Sequence, residues 1–475
     1  MKTFYTKQKQ FLAIVFLFLL TNLSFAQCFT KVSAGLNHTV AIASNGTLWA
    51  WGTNISGELG IGLTPSFSLV PVQVGIANNW VDISAGNGFT LAIRAVGILG
   101  NQNTLWAWGA NNFGQLGDGT TDNKFVPTQI GTNTKWTQVS AGTNHSMAIN
   151  DTSTLFTPGN KTLWGWGRNN VGQLGDGITP NQNAPVQIGT AIDWGQVAVG
   201  NSYTIAQKTD GRLFSWGLNN LGQLGINSTT TTSARTQIGT DSDWSINFSA
   251  DAAHVVAIKN NGTLWAWGYN LSAQLGNGNT ANSLTPIQIG SAIDWTKVSV
   301  GAGHSMALKN NGDLYTWGKN EEGQLGIGSL DFSLTRNLIG GNYATISAGA
   351  NFSVGIKNDG TLNIAGTNLF GQLGTGTTVD VNNISPIVCP ATLSIESQNE
   401  IVAKFVVYPN PTSNGNFSIQ SEKIIQTVIA FDMLGKQIDF EKNNDSYKIN
   451  ASNGIYTIKI IDADGNSQIK KLIVN

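Results

Sequence analysis

A Trp-Gly pair recurs along this chain at a spacing of roughly fifty residues, closing at Gly52, Gly109, Gly167, Gly217, Gly268, Gly318 and Gly366, with Ala365 in place of Trp in the last copy. A period of that length marks one supersecondary unit repeated in tandem, each unit burying its apolar face against the next. The chain carries 56 glycines against 11 prolines, and the glycines follow the long period and not every third position, which excludes a collagen-like chain. Fifteen tryptophans with few charges indicate a large buried interior, not disorder.

Within one copy, Val32-Ser33-Ala34-Gly35 leads into His38-Thr39-Val40-Ala41-Ile42, and Asn45-Gly46 separates that run from Leu48-Trp49-Ala50-Trp51. This pattern predicts a β-hairpin closed by a two-residue turn with positive φ, and Asp210-Gly211, Asn261-Gly262, Asn311-Gly312 and Asp359-Gly360 take the same place in other copies. Apolar residues on both faces of Leu-Trp-Ala-Trp require cover on both sides, as stacked sheets in a propeller provide. A fourth strand ends each copy, as in Pro71-Val72-Gln73-Val74. Trp80, Trp136, Trp194, Trp244 and Trp295 then open the next copies and are candidate wedges between blades.

These residues resemble the regulator-of-chromosome-condensation repeat family, whose Ser-Ala-Gly, two residues, His and alternating apolar run is met by Val32 to Ile42 and Val139 to Ile149, and by Val298 to Leu308 with Val300 in place of Ala. The loops Gly114-Gln115-Leu116-Gly117, Gly172-Gln173-Leu174-Gly175, Gly222-Gln223-Leu224-Gly225 and Gly323-Gln324-Leu325-Gly326 complete the likeness. The resemblance implies an all-β fold: a seven-bladed β-propeller of four-stranded antiparallel blades over 27–390.

Three other segments complete the organisation. Lys2, Lys7 and Lys9, the apolar run from Phe11 to Leu20 and the small residues of Ser24-Phe25-Ala26 read as an export signal over 1–26. No later run is long enough to span a membrane. After Pro390 a polar linker covers 391–401. A small β-sandwich-like module at 402–475 carries Tyr408-Pro409-Asn410-Pro411, Phe431-Asp432-Met433-Leu434-Gly435, Gly454-Ile455-Tyr456 and Lys470-Lys471-Leu472-Ile473-Val474. In that order they resemble the C-terminal sorting domain of type IX secretion found in Bacteroidetes, which implies recognition by that machinery and a secreted or surface-attached product.

Alignment of the copies sets Phe29 where Trp80 sits in the second, and Cys389 where Val74 ends the first. In a closed ring Cys28 and Cys389 become neighbours, and export to an oxidising compartment predicts a disulfide between them; two unpaired thiols are the alternative.

The four histidines, His38, His145, His254 and His304, share one repeat position that Phe89, Tyr203 and Phe352 fill elsewhere. Aromatic substitutes point to a structural role with a ring nitrogen bonded to nearby backbone, and no Cys or carboxylate cluster accompanies them as a metal site requires. Asp118 and Asp176 read as turn residues, not as the carboxylate pair of a glycosidase. Asp251, which replaces the Gly of Ser-Ala-Gly, reads as drift of the repeat. Phe113, Val171, Leu221 and Phe370, each preceding the Gly of the Gly-Gln-Leu-Gly loop, form a candidate partner-binding rim, with burial under the next loop as the competing reading.

A formal net charge of −1 without a Lys/Arg cluster offers no footprint for a phosphate backbone, so nucleic acid is excluded as a partner. No catalytic residue, cofactor or metal is expected. The function expected is a monomeric, non-enzymatic binding scaffold facing an extracellular protein or glycan. The alternatives are an enzyme-inhibitor-like propeller, as in a β-lactamase-inhibiting relative; guanine nucleotide exchange by family analogy, which export disfavours; and a polysaccharide-active propeller enzyme.

Overall fold

The computed structural model describes residues 29–96, 102–154 and 159–387, and in the tail 406–421, 424–432, 437–443, 446–449, 452–462 and 467–474. The export segment, the linker and both cysteines, Cys28 and Cys389, lie outside the described residues. The chain divides into two compact units, Met1–Leu393 and Ser394–Asn475.

In the first unit β1 (Phe29–Ala34), β2 (His38–Ala43), β3 (Leu48–Thr53) and β4 (Phe67–Gln73) pair antiparallel in chain order, forming blade 1. Among the described residues six further four-stranded sheets repeat this order within 80–129, 136–187, 194–237, 244–288, 295–340 and 343–387, as blades 2 to 7. Every residue of β2 and β3 is buried, whereas β4 is partly exposed at the outer edge. That gradient follows from stacking, since the two middle strands are the ones covered on both faces.

The hairpin turn differs from its sequence expectation. Ala43 and Thr47 close the turn through Ala43 N–H to Thr47 O and Gly46 N–H to Ala43 O, both at 2.9 Å, leaving three residues between them. Only Gly46 takes positive φ, at 79°, and Asn45 instead accepts the Thr47 N–H on its side-chain oxygen at 3.0 Å. A three-residue turn ending in a left-handed Gly reconciles the hairpin with the strand twist, so a second left-handed residue is not needed.

The opening tryptophans are wedges. Trp80 shares a buried cluster with Val40, Ile42 and Leu48 of blade 1 and with Ile83 and Trp108 of its own blade. Its ring meets Trp106 and Trp108 edge-on at 5.8 and 6.1 Å, and such pairs add about 0.5–1.5 kcal/mol beyond their burial. Trp136, Trp194 and Trp244 repeat the arrangement.

The ring closes. Ala34 N–H donates to Ser347 Oγ at 2.9 Å, Trp51 Nε1–H donates to Gln372 O at 2.9 Å, and the Thr39 hydroxyl donates to the same carbonyl at 2.8 Å. Phe29 and Ile387, near the two ends of the propeller, belong to one core cluster with Trp51 and Phe352.

In the second unit two four-stranded sheets contribute to one core that includes Phe417, Ile419, Tyr447, Ile458 and Leu472. The Tyr-Pro-Asn-Pro segment clips the last strand (Ser467–Val474): Asn410 Oδ1 accepts from Ile473 N–H at 2.9 Å, and Thr412 N–H donates to Ile473 O at 2.8 Å. Two motifs separated in sequence are therefore parts of one strand-end fastening.

Candidate functional site

Antiparallel order sorts the connections of every blade onto two faces. The turn between the first and second strands and the long loop between the third and fourth lie on one face, here the loop face; the hairpin turns and the blade-to-blade links lie on the other.

Each long loop is built around a buried asparagine two residues beyond the Trp-Gly glycine. In blade 3, Asn169 Oδ1 accepts from Leu174 N–H at 3.0 Å while its Nδ2 donates to Asp176 Oδ1, Ile178 O and Pro180 O at 3.0 to 3.2 Å. Asn54, Asn111, Asn219, Asn270, Asn320 and Asn368 do the same work in the other blades. Sequence reasoning passed over this column, although its fixed offset in all seven copies was the signal. Asp176 and Asp118 serve the same frame, Asp118 also pairing with Lys124 at 3.0 Å, as turn residues do.

The rim candidates Phe113, Val171, Leu221 and Phe370 are half-buried. Their backbone N–H groups donate to the side-chain oxygens of Gln115, Gln173, Gln223 and Gln372, and the Arg168 guanidinium sits 5.0 Å from the centre of the Phe113 ring. The residue one position earlier points outward. At that position Ile55 is 71% exposed, and Leu271 and Leu369 are each 65% exposed.

The histidines are fully buried and lock blade to blade. His38 Nε2 meets Thr90 Oγ1 of blade 2 at 3.0 Å, and that hydroxyl donates to Glu58 O of blade 1 at 2.9 Å. His145, His254 and His304 meet Thr204, Ser305 and Ser353 at 3.1, 2.9 and 2.9 Å, and these hydroxyls donate to Gln173, Gln274 and Gln324 carbonyls. A hydroxyl that spends its proton on a carbonyl must accept from the imidazole, which fixes the proton on Nε2. The partner is thus a hydroxyl of the next blade and not a backbone group as expected from sequence, because the ring points across the junction. Burial holds all four pKa values at about 3, so the rings are neutral.

The first strands enclose a central cavity of about 400 Å³. Six serines belt it: Ser33, Ser84, Ser140, Ser249, Ser299 and Ser347 each accept a backbone N–H from the next blade, at 2.9 to 3.1 Å. Above the belt, glycines stand where a side chain would not fit. A Cβ on Gly301 would lie 2.1 Å from Gly349 O and 2.5 Å from the His304 ring. Gly301→Ala is expected to cost about 1–3 kcal/mol through overpacking, to be read as a lowered urea midpoint at unchanged m-value.

Among known proteins, residues 45–93, 102–149, 162–207, 210–258, 261–308 and 311–356 match the regulator of chromosome condensation (RCC1) repeat. Residues 406–475 match the secretion system C-terminal sorting domain, the tail of proteins exported by the type IX route to the cell surface or the medium. The chain is 28% identical over 268 residues to the ultraviolet-B receptor UVR8 of Arabidopsis thaliana, covering 54% of this chain and 57% of the receptor. It is 32% identical over 194 residues to the probable E3 ubiquitin-protein ligase HERC6 of Homo sapiens, covering 38% of this chain and 17% of the ligase. It thus spans little more than half of the one relative and a small part of the other. Human WBSCR16 superposes with a TM-score of 0.63 at 21% identity, over 72% of this chain and 95% of that one. Prp20p of Saccharomyces cerevisiae superposes with a TM-score of 0.61 at 21% identity, over 69% of this chain and 82% of that one. With the repeat matched over more than half of its length, this chain belongs to the regulator of chromosome condensation repeat family and ends in a secretion sorting domain.

Proposed function

We propose that the exported propeller is a non-enzymatic scaffold that binds an extracellular protein through its loop face. The observation that carries this reading is the exposed trio of Ile55, Leu271 and Leu369 on blades 1, 5 and 7, held by a hydrogen-bonded asparagine frame at a loop position that Asn112, Asn170, Asn220 and Glu321 fill in the other blades. Exposed aliphatic side chains on a pre-ordered loop bind with little loss of conformational freedom, which lowers one of the costs that docking must meet. Prp20p has been studied for its binding to Gsp1p and histones, and the same protein, yeast RCC1, in complex with Kap60; protein recognition is the property carried over here, not those partners.

The test is capture from culture medium by the immobilised full chain. Ile55→Asn, Leu271→Asn and Leu369→Asn together are expected to reduce recovery of the captured protein by about tenfold or more, as loss of a hot-spot cluster does. Asn at Ile76 and Ile293, which are 97% and 69% exposed on the opposite face, is expected to leave recovery unchanged. Loss confined to the second variant would place binding on the other face, and binding to a glycan array without any protein partner would replace a protein with a glycan.

A further inference from the structure

The seven-fold pattern of the cavity is broken at one junction. The turn position held by Gly35, Gly86, Gly142, Gly200, Gly301 and Gly349 is Asp251 in blade 5, and the serine belt is interrupted by Ala198 in blade 4, the blade that faces it. Tyr203, the one tyrosine in the histidine column, donates its hydroxyl to Asp251 O at 2.8 Å and His254 O at 2.9 Å. The first strand of blade 5 (Trp244–Ala250) also carries one residue more than its counterparts: seven positions separate Trp244 from Asp251, against six between Trp194 and Gly200 or Trp295 and Gly301. The first strands of the other blades slip by one residue after the equivalent aromatic, whereas this one slips by two between Trp244 and Phe248, with Asn247 N–H bonded back to Ser245 Oγ at 3.1 Å. A bulge of this kind re-aims the residues that follow it and is enriched beside binding sites.

Random drift would scatter such departures around the ring. Here an inserted residue, a lost hydroxyl, a new tyrosine bond and a new side chain all meet beside one carboxylate. Elsewhere in the ring a Cβ at the turn would lie 2.1 to 2.9 Å from the next turn's carbonyl wherever that carbonyl is the neighbour, as at Gly35, Gly86, Gly142, Gly200 and Gly301. In blade 5 the altered strand leads into a residue with a side chain, Asp251, at this position.

Asp251 is the one charged residue among those lining the cavity, and it makes no ion pair among the described residues. The Ala252 N–H is its hydrogen-bond support, against a burial that pushes its pKa up to about 6. A carboxylate held in a cavity without a countercharge is stabilised by any cation that enters. The adjoining blade offers the side-chain amide of Asn201 as a further acceptor, and Thr143 and Asn87 line the same cavity farther round the ring. We propose that the cavity beside Asp251 receives a basic side chain of the partner, an ammonium or guanidinium group, with Asp251 as its counterion. The inference rests on the scaffold reading and supplies the chemistry that partner must carry.

Methylguanidinium and n-butylammonium, added separately to the full chain at about pH 7.5 and followed by amide NMR, test it without any partner. At least one of the two is expected to give a saturable shift at the amides of Ala250, Asp251 and Ala252. Asp251→Asn is expected to weaken that binding by about tenfold or more, and Asp82→Asn, on another blade, to leave it unchanged. Asp251→Gly restores the residue of the other blades and keeps the test open if the Asn variant misfolds. No saturable shift for either cation, or an affinity in the Asn and Gly variants equal to that of the wild type, overturns the proposal. Because the probes are small cations, this result stands apart from whether the Ile55, Leu271 and Leu369 face captures a protein.

Discussion

Acidification from about pH 7.5 to about pH 4.5 is expected to remove roughly 8 kcal/mol of propeller stability, enough to unfold a domain whose total stability lies at about 5–15 kcal/mol. The four buried imidazoles carry the effect. Each has its pKa lowered from 6.5 to about 3 by burial, so the folded state keeps them neutral while the unfolded chain protonates them. Their contribution is complete above the unfolded value and is lost as pH falls toward 3; over this interval each ring loses about 2–3 kcal/mol, or roughly 10 in all. Asp251 works in the opposite sense. Its pKa is raised to about 6, so the folded state takes up a proton that the unfolded chain does not, which returns about 2 kcal/mol. Glu58, also raised by burial against four hydrogen bonds that lower it, returns a further part. Urea midpoints across this range measure the sum. His145→Phe with His304→Phe, copying Phe89 and Phe352 of other blades, is expected to flatten the profile by about half. A pH profile that the double variant leaves unchanged would take the histidines out of the account.

The ring was legible in the sequence because its causes are local and repeated. Trp-Gly spacing, alternating apolar runs and Gly-bearing turns each specify one blade, and seven copies specify the circle. The aromatic substitutes in the histidine column pointed to packing, but the partners of the rings were not legible, since a bond from His38 to Thr90 joins residues a full blade apart and no periodicity within one copy points at it. The half-exposed state of Phe113 and its equivalents was equally hidden: whether an apolar loop residue faces solvent depends on how the Asn111 frame turns the loop, and that frame works through side-chain bonds to loop carbonyls. The inserted residue before Asp251 was countable in the sequence all along. Its meaning emerges only beside two residues of the neighbouring blade, Ala198, which lines the cavity with Asp251, and Tyr203, whose hydroxyl donates to the Asp251 carbonyl.

Reduction of the oxidised chain is expected to lower propeller stability by about 4 to 5 kcal/mol if Cys28 and Cys389 are joined. Neither sulfur is among the described residues, but their neighbours are. Phe29 pairs with Ala43 at the start of β1, Ile387 pairs with Leu362 at the end of the last strand of blade 7, and both side chains are buried in the same cluster. Each cysteine therefore lies within two residues of a side chain in one core. The bond would close a loop that contains the entire propeller, and the entropy it removes from the unfolded chain grows with loop length. Cys28→Ser with Cys389→Ser is expected to match the reduced wild type in urea and to show no further change with reductant. Mass spectrometry of unreduced tryptic peptides gives the direct reading: a Cys28 to Cys389 cross-link is required, and two free thiols in the secreted protein would leave the closure of the ring to Ser347, Gln372 and the core around Trp51 alone.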